Sequence, residues 1–300
     1  MYIFHRKTAS ISLLLLCALG GPARADGSGS SARSNQLSQE RLEKERAQAE
    51  VKAHTLPVAE ALSAVEQTQA ALKALNEHDN AKAKTALDDA LAKTDLLVKN
   101  QPGLALVPLA AEVRIMDLAV DDQAAKRIAG RAGDLMQRGQ IQAARKILAT
   151  FASEIDLSTM NIPMATYPGA IRAAQRLMSE DKSQAAQGVL MAAMNTLVVV
   201  DQSIPIPVVK AQALVDEVHR QESKGKVDRK EADLLLDDAS SQLTLAQTLG
   251  YGDKKDFDGI ESSIKLARAD IDKNGKDKSL LARIKTELAE LRAKTFGSST

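Results

Sequence analysis

The sequence predicts a mainly α protein: a compact bundle of antiparallel helical hairpins with a small antiparallel β element of two or three short strands. Apolar residues recur at helical spacing through most of the chain. A frame of leucine, turn residue and alanine occurs at Leu75-Asp79-Ala83, Leu135-Gly139-Ala143 and Leu177-Asp181-Ala185. Between these frames lie β-branched stretches that alternate instead.

Residues 1–25 read as a signal peptide. His5, Arg6 and Lys7 precede an apolar run from Ile11 to Leu19, and Ala23-Arg24-Ala25 has the small-x-small pattern that signal peptidase cuts. The run is shorter than the ~20 residues a spanning helix needs, so a soluble periplasmic protein without stable membrane insertion is expected. Leu16 stands before Cys17, where lipidation needs a small residue. Cleavage after Ala25 removes Cys17, the chain's single cysteine, leaving no disulfide or thiolate chemistry. It also removes Arg6, Lys7 and Arg24 from the 40 basic residues and none of the 39 acidic ones, moving the net charge from +1 to −2. Neither nucleic acid nor anionic lipid is favoured by so small a bulk charge. With no tryptophan, and only Tyr167, Tyr251, Phe151, Phe257 and Phe296 as mature aromatics, base stacking is excluded too.

The Gly/Ser-rich stretch 26–36 reads as a flexible linker, and 37–54 as a charged lead-in helix too poor in large apolar residues to bury a face, the two filling 26–56. From Pro57 a core of 57–222 is expected. Val58, Leu62, Val65, Leu72 and Leu75 share one helical face, and Ala83, Leu87, Ala90, Leu91 and Leu97 form the returning one. Glycine past a helix end and aspartate at a helix start both satisfy orphan backbone groups while the chain reverses, so Gly139, Asp79 and Asp181 read as hairpin turns. The copies are spaced too irregularly for a solenoid. Strands are expected within 107–117, 153–163 and 196–207, with their prolines at edges or ends. A C-terminal region, 223–300, is expected to dock on the core. There Asp228 and Glu231 have capping-box spacing, Gly250 ends a helix, and a hairpin turns at Asn274-Gly275.

Little in this chain points to a reaction. DIDKNGKDKSLL (270–281) places Asp270, Asp272 and Asn274 like calcium ligands, but its twelfth position is Leu281 instead of a bidentate glutamate. His54, His78 and His219 lack partners at metal-ligand spacing. No GxSxG motif or phosphate loop occurs. Neither a cofactor nor a metal nor a catalytic residue is expected. The mature methionines, Met116, Met136, Met160, Met164, Met178, Met191 and Met194, crowd the middle third, as core filling or as an adaptable apolar groove.

Export, alanine-rich hairpins, the segment SIPIPVVKAQALV (203–215) and the later LAQTLGYGDKKDF (245–257) together resemble the YfdX family, from about Pro57 to Lys294. That resemblance implies a periplasmic protein of acid and heat stress tolerance with no established catalytic residues. It implies envelope proteins as partners, and homo-oligomers would fit it. The expected activity is chaperone-like or partner binding, the alternative being small-ligand binding or signalling. Met178, Met191, Met194, Pro205, Pro207 and Tyr251 form the candidate partner or ligand surface.

Overall fold

A computed structural model describes residues 28–100, 102–273 and 277–296. The elements run α1 (Ser28–Thr55), α2 (Ala59–Asn76), α3 (Asn80–Asn100), β1 (Leu106–Met116), α4 (Asp122–Gln137), α5 (Ile141–Leu148) and β2 (Glu154–Pro163). They continue α6 (Tyr167–Ser179), α7 (Ser183–Met194), β3 (Val198–Pro205), α8 (Ile206–Ser223), α9 (Arg229–Leu249), α10 (Lys254–Asp272) and α11 (Ser279–Phe296). The fold is mostly helical with one small antiparallel sheet, as the sequence predicts.

One backbone device ends α2, α4, α6, α8 and α9. His78, Gly139, Asp181, Gly225 and Gly250 have φ of 59°, 71°, 56°, 63° and 87°. In each case the next residue's N–H reaches back to a carbonyl five residues earlier: Asp79 to Ala74, Gln140 to Leu135, Lys182 to Leu177, Lys226 to Gln221 and Tyr251 to Ala246, at 2.8–3.1 Å. Such a left-handed cap satisfies carbonyls that the helix end would orphan.

The repeat frame shifts accordingly. His78, not Asp79, is the left-handed residue of the first copy, while Asp79 accepts from the Lys82 N–H at 3.0 Å at the start of α3. Asp181 is a left-handed cap and not a helix start. In this frame the same alanines are buried in every copy, seven residues before and five after the turn: Ala71 and Ala83, Ala132 and Ala144, Ala174 and Ala186. Ala143 and Ala185 are exposed.

The sheet order is β1-β2-β3, with β2 central and both pairings antiparallel. Helical hairpins α4–α5 and α6–α7 make its connections. Pro108 and Pro163 sit at one end of the β1–β2 ladder, and a bulge between Pro108 and Ala110 absorbs the missing donor. Pro205 ends β3 and leads directly into α8.

Two helical cores flank the sheet. The first joins α2, α3, α6 and α7 with Val107, Leu109 and Ile162 of the strands. The second joins α8 to α11. A smaller cluster of Leu42, Ala49, Ile155, Ile204, Ile206 and Val209 lies between α1, the sheet and α8.

Two expectations are overturned here. The stretch expected to be a flexible linker is helical from Ser28 onward, and α1 is no solvated lead-in: it packs on α8, with Leu42 0% exposed. Its buried stripe is Ser34, Ser38, Leu42, Glu45 and Ala49, mostly short side chains that let two helices approach closely without a large apolar face. The boundary near 222–223 also moves, because all of α8 packs with α9 and α11 in or beside the second core. The chain therefore changes core at the β3–α8 junction near Pro205.

Asp228 accepts from the Glu231 N–H at 3.1 Å, but the Glu231 carboxylate turns to Gln221 and Arg33 instead of closing the capping box. Leu281 of the calcium-like segment is core. Asn274, Gly275 and the whole signal-peptide segment with Cys17 lie outside the described residues. Among the described residues no helix is long and apolar enough to cross a membrane.

Candidate functional site

Two helical stripes face each other across a groove of about 650 Å³. On α2 the stripe is Gln69, Leu72, Lys73 and Asn76, spaced i, i+3, i+4 and i+7. On α7 it is Gln187, Met191 and Met194, spaced i, i+4 and i+7. Residues at these spacings share one helix face. The opposite stripe of α7, Ala186, Leu190 and Ala193, is buried in the first core and fixes which face looks outward.

One hydrogen bond joins the two sides of the groove, and a buried polar pair adjoins Met194. Gln187 Nε2 donates to Asn76 Oδ1 at 2.5 Å, bridging α7 and α2. Beneath Met194, the buried Tyr167 hydroxyl lies 3.8 Å from its sulfur and donates to Thr68 Oγ1 at 2.9 Å. Thr68 in turn donates to the Ala64 carbonyl at 2.8 Å. Burial pushes the Tyr167 hydroxyl above the ordinary phenol range, and the Thr68 hydrogen bond opposes that only in part. The pair behind Met194 is thus neutral and satisfied. Met191 is 53% exposed, so a large flexible thioether stands at the rim. A groove on α2 and α3 beside Lys82 and Asp89, of about 390 Å³, is lined mainly by polar side chains and alanine.

The six residues singled out by sequence do not come together. Met191 and Met194 line the groove. Met178 is half-buried against the first core, as Met160 and Met164 are elsewhere on it. Pro205 and Pro207 are buried at the start of α8, where proline suits a first helical turn, so neither offers a surface.

Tyr251 is a clamp between units. The Ser153 N–H donates to its hydroxyl oxygen at 2.8 Å, and that hydroxyl also bonds the Glu154 carboxylate. Burial holds the Tyr251 hydroxyl well above its ordinary range and lifts the Glu154 carboxyl as well. Ser153 Oγ donates to Asp117 Oδ1 at 3.1 Å, and Asp156, two positions beyond Glu154 in β2, pairs with Arg114 at 3.1 Å and with Ser203 Oγ at 2.5 Å. These groups tie the loop after α9 to the sheet. The sequence marks Tyr251 as distinctive, but no local pattern reveals that its partners lie about a hundred residues away at the start of β2.

Of the histidines, His54 and His78 are exposed, and His219 lies 3.5 Å from Glu222. Among the described residues no three His, Cys, Asp or Glu side chains cluster as metal ligands.

Comparison with known proteins agrees with part of this picture. No curated protein matches the chain. Among solved structures, that of YfdX from Salmonella Typhi is similar at 15% identity and a TM-score of 0.35, over 50% of this chain and 93% of that one. The family described as YfdX protein matches residues 64–203. The match is narrower than the resemblance read from sequence: it stops at Ser203, so most of the IPxP segment and the whole LGYG helix end fall beyond it. From the middle of α2 to Ser203 in β3, through three helical hairpins and the sheet they surround, the chain belongs to the YfdX family.

Proposed function

We propose that this chain is a non-enzymatic stress-tolerance protein of the periplasm that binds partially unfolded partner proteins through the groove between α2 and α7. The observation that carries the reading is the pairing of Leu72 with Met191 and Met194 across about 650 Å³ of open groove. Thioether side chains adapt to many apolar shapes, which suits clients without a fixed surface. The polar groups beside it, Asn76 with Gln187 and Tyr167 with Thr68, are bonded to each other, which suits a binding surface better than a reacting one. Acid stress supplies a trigger. Near pH 3 most carboxylates are protonated, so the mature chain's small charge becomes strongly positive and self-repulsion opens apolar faces further.

A second reading rests on the groove's size, which falls within the roughly 300–1,000 Å³ of small-molecule sites. One experiment separates the two. An aggregation-prone periplasmic protein is acidified, or heated, with and without the purified chain, and light scattering is followed. The proposal expects suppressed scattering, weakened by Met191→Asp, which adds a charge to the rim. Identical scattering with and without the chain under both stresses would overturn the client-binding reading and leave the small-ligand one.

A further inference from the structure

The α4–α5 hairpin stands apart from both cores. α4 packs on α9, fastened by Thr248 Oγ1 donating to Asp122 Oδ1 at 2.6 Å, while α5 packs chiefly on α4. Its buried residues are alanines only: Ala125, Ala132 and Ala144. Its larger apolar side chains therefore stay at the surface. Met136 is 48%, Ile141 54% and Leu148 44% exposed, and Ile141 and Leu148, seven residues apart, lie on one stripe of α5.

The hairpin is also the place where arginines go unpaired. Between Asp121 and Leu148 six basic side chains face three acidic ones. Lys126 pairs with Asp122, but Arg127, Arg131, Arg138 and Arg145 make no ion pair or side-chain hydrogen bond among the described residues. Arg176 is the one other described arginine in that state; Arg114, Arg172, Arg220, Arg268 and Arg292, for example, each hold a carboxylate. Arg127, Arg131 and the C-cap residue Arg138 follow one another at i, i+4 and i+11 along one face of α4, where three arginines outnumber the single carboxylate at i+7, Asp134. On α5, Arg145 sits between Ile141 and Leu148.

We propose that the α4–α5 hairpin docks the molecule on an anionic lipid surface, with Ile141 and Leu148 entering the headgroup boundary and the unpaired arginines binding lipid phosphates. Exposed aliphatic side chains interleaved with long cationic ones are the arrangement that holds a helix in the interface plane, the arginine stems lying along apolar surface while their heads reach phosphate. A protein groove would ask for something else: apolar anchors at i, i+3, i+4 and i+7. On α5 those positions are Ile141, Ala144, Arg145 and Leu148, of which Ala144 is buried against the hairpin itself and Arg145 is charged. Bulk charge near neutrality does not oppose docking, because within a Debye length only the local cluster is felt.

The test is flotation of the purified full chain with vesicles of phosphatidylcholine alone or with added phosphatidylglycerol, in low and high salt. Arg6 and Lys7 beside the apolar N-terminal run favour anionic vesicles by themselves, so the readout is the change that the hairpin variants make against the parent chain. Binding is expected on anionic vesicles, weakened by salt. Each basic residue near such a surface contributes about fivefold to partitioning, so Arg131→Glu with Arg138→Glu should lower binding by at least about 25-fold. Ile141→Ser with Leu148→Ser should lower it too, with unchanged helical circular dichroism. If the first pair disturbs folding, Arg145→Glu with Lys146→Glu on the exposed side of α5 serves instead. Equal binding to both vesicle types, or no effect of charge reversal, overturns the proposal. Loss by charge reversal with full retention by the Ile141 and Leu148 variants also overturns it, because the contact is then electrostatic alone and no apolar side chain enters the headgroup boundary.

Discussion

Gly139, His78 and Asp181 occupy the same left-handed position in three helical hairpins, yet only one is the residue best suited to it. A Cβ on Gly139 would meet nothing within 4 Å, so the cost of a substitution there is backbone strain alone. Gly139→Val is expected to destabilise by about 1–2 kcal/mol, and Asp181→Gly to stabilise by up to about 1 kcal/mol. Thermal melts of the two variants should therefore move in opposite directions. An unchanged midpoint for Gly139→Val would mean that the α4–α5 turn adds nothing to global stability, as in a hairpin that frays before the cores unfold.

Helices α2 to α7 are legible in the sequence because each carries its own period and its own turn. The strands are legible because β-branched residues alternate there, as in Val107, Leu109, Ala111 and Val113, although the bulge after Pro108 breaks the facing that strict alternation implies. α1 is not legible, since its buried stripe holds one large apolar residue, Leu42, with Leu37 half-buried beside the second core, and a carboxylate, Glu45, that only its distant partners make tolerable. Half the groove is legible: Met191 and Met194 share a face, but nothing in sequence pairs that face with Leu72.

Glu45 ties α1 down. Burial alone would raise its carboxyl, but Arg292, at 2.6 and 3.0 Å, outweighs it with help from Arg41, holding Glu45 below its ordinary value of 4.5. At Glu217 the Arg220 hydrogen bond does the same against a smaller effect of burial, and Gln221 and Arg33 add to it. A carboxylate lowered on folding stabilises fully above its unfolded pKa, and that contribution fades as pH falls through the lower, folded value. α1 should therefore hold at neutral pH and loosen only in the acid range below 4.5. Glu45→Gln should mimic acid at pH 7, at a cost of about 1–2 kcal/mol. Hydrogen exchange decides it: α1 staying as protected as α8 down to pH 3 would show that the ion pairs do not hold it.

On the scale of the whole molecule, the two helical cores share no buried residue, and the third cluster joins them. The family match covers most of the first core and the sheet but ends at Ser203, just before α8 begins the second. The halves are coupled by the apolar contact of Ile155 with the α1–α8 layer and by Tyr251 bonding to Ser153 and Glu154, with α4 on α9 and α11 on β3 as further contacts. Ile155 is fully buried and central to that contact, so Ile155→Ala removes apolar contact and leaves a cavity at a cost of about 2–5 kcal/mol. If the cluster is a coupling and not merely more core, the loss should fall unevenly. Exchange protection should drop first in α1 and in α8, which meet the sheet at this contact, and in the helices packed on α8, while α2, α3, α6 and α7 keep theirs through the Tyr167–Thr68 pair and their own alanine stripes. The measurement is hydrogen exchange, resolved by peptide, on the parent and the variant under the same conditions. An equal fall in both sets of helices would mean that the chain opens as one cooperative unit and that the two cores are a division of geometry without a division of stability.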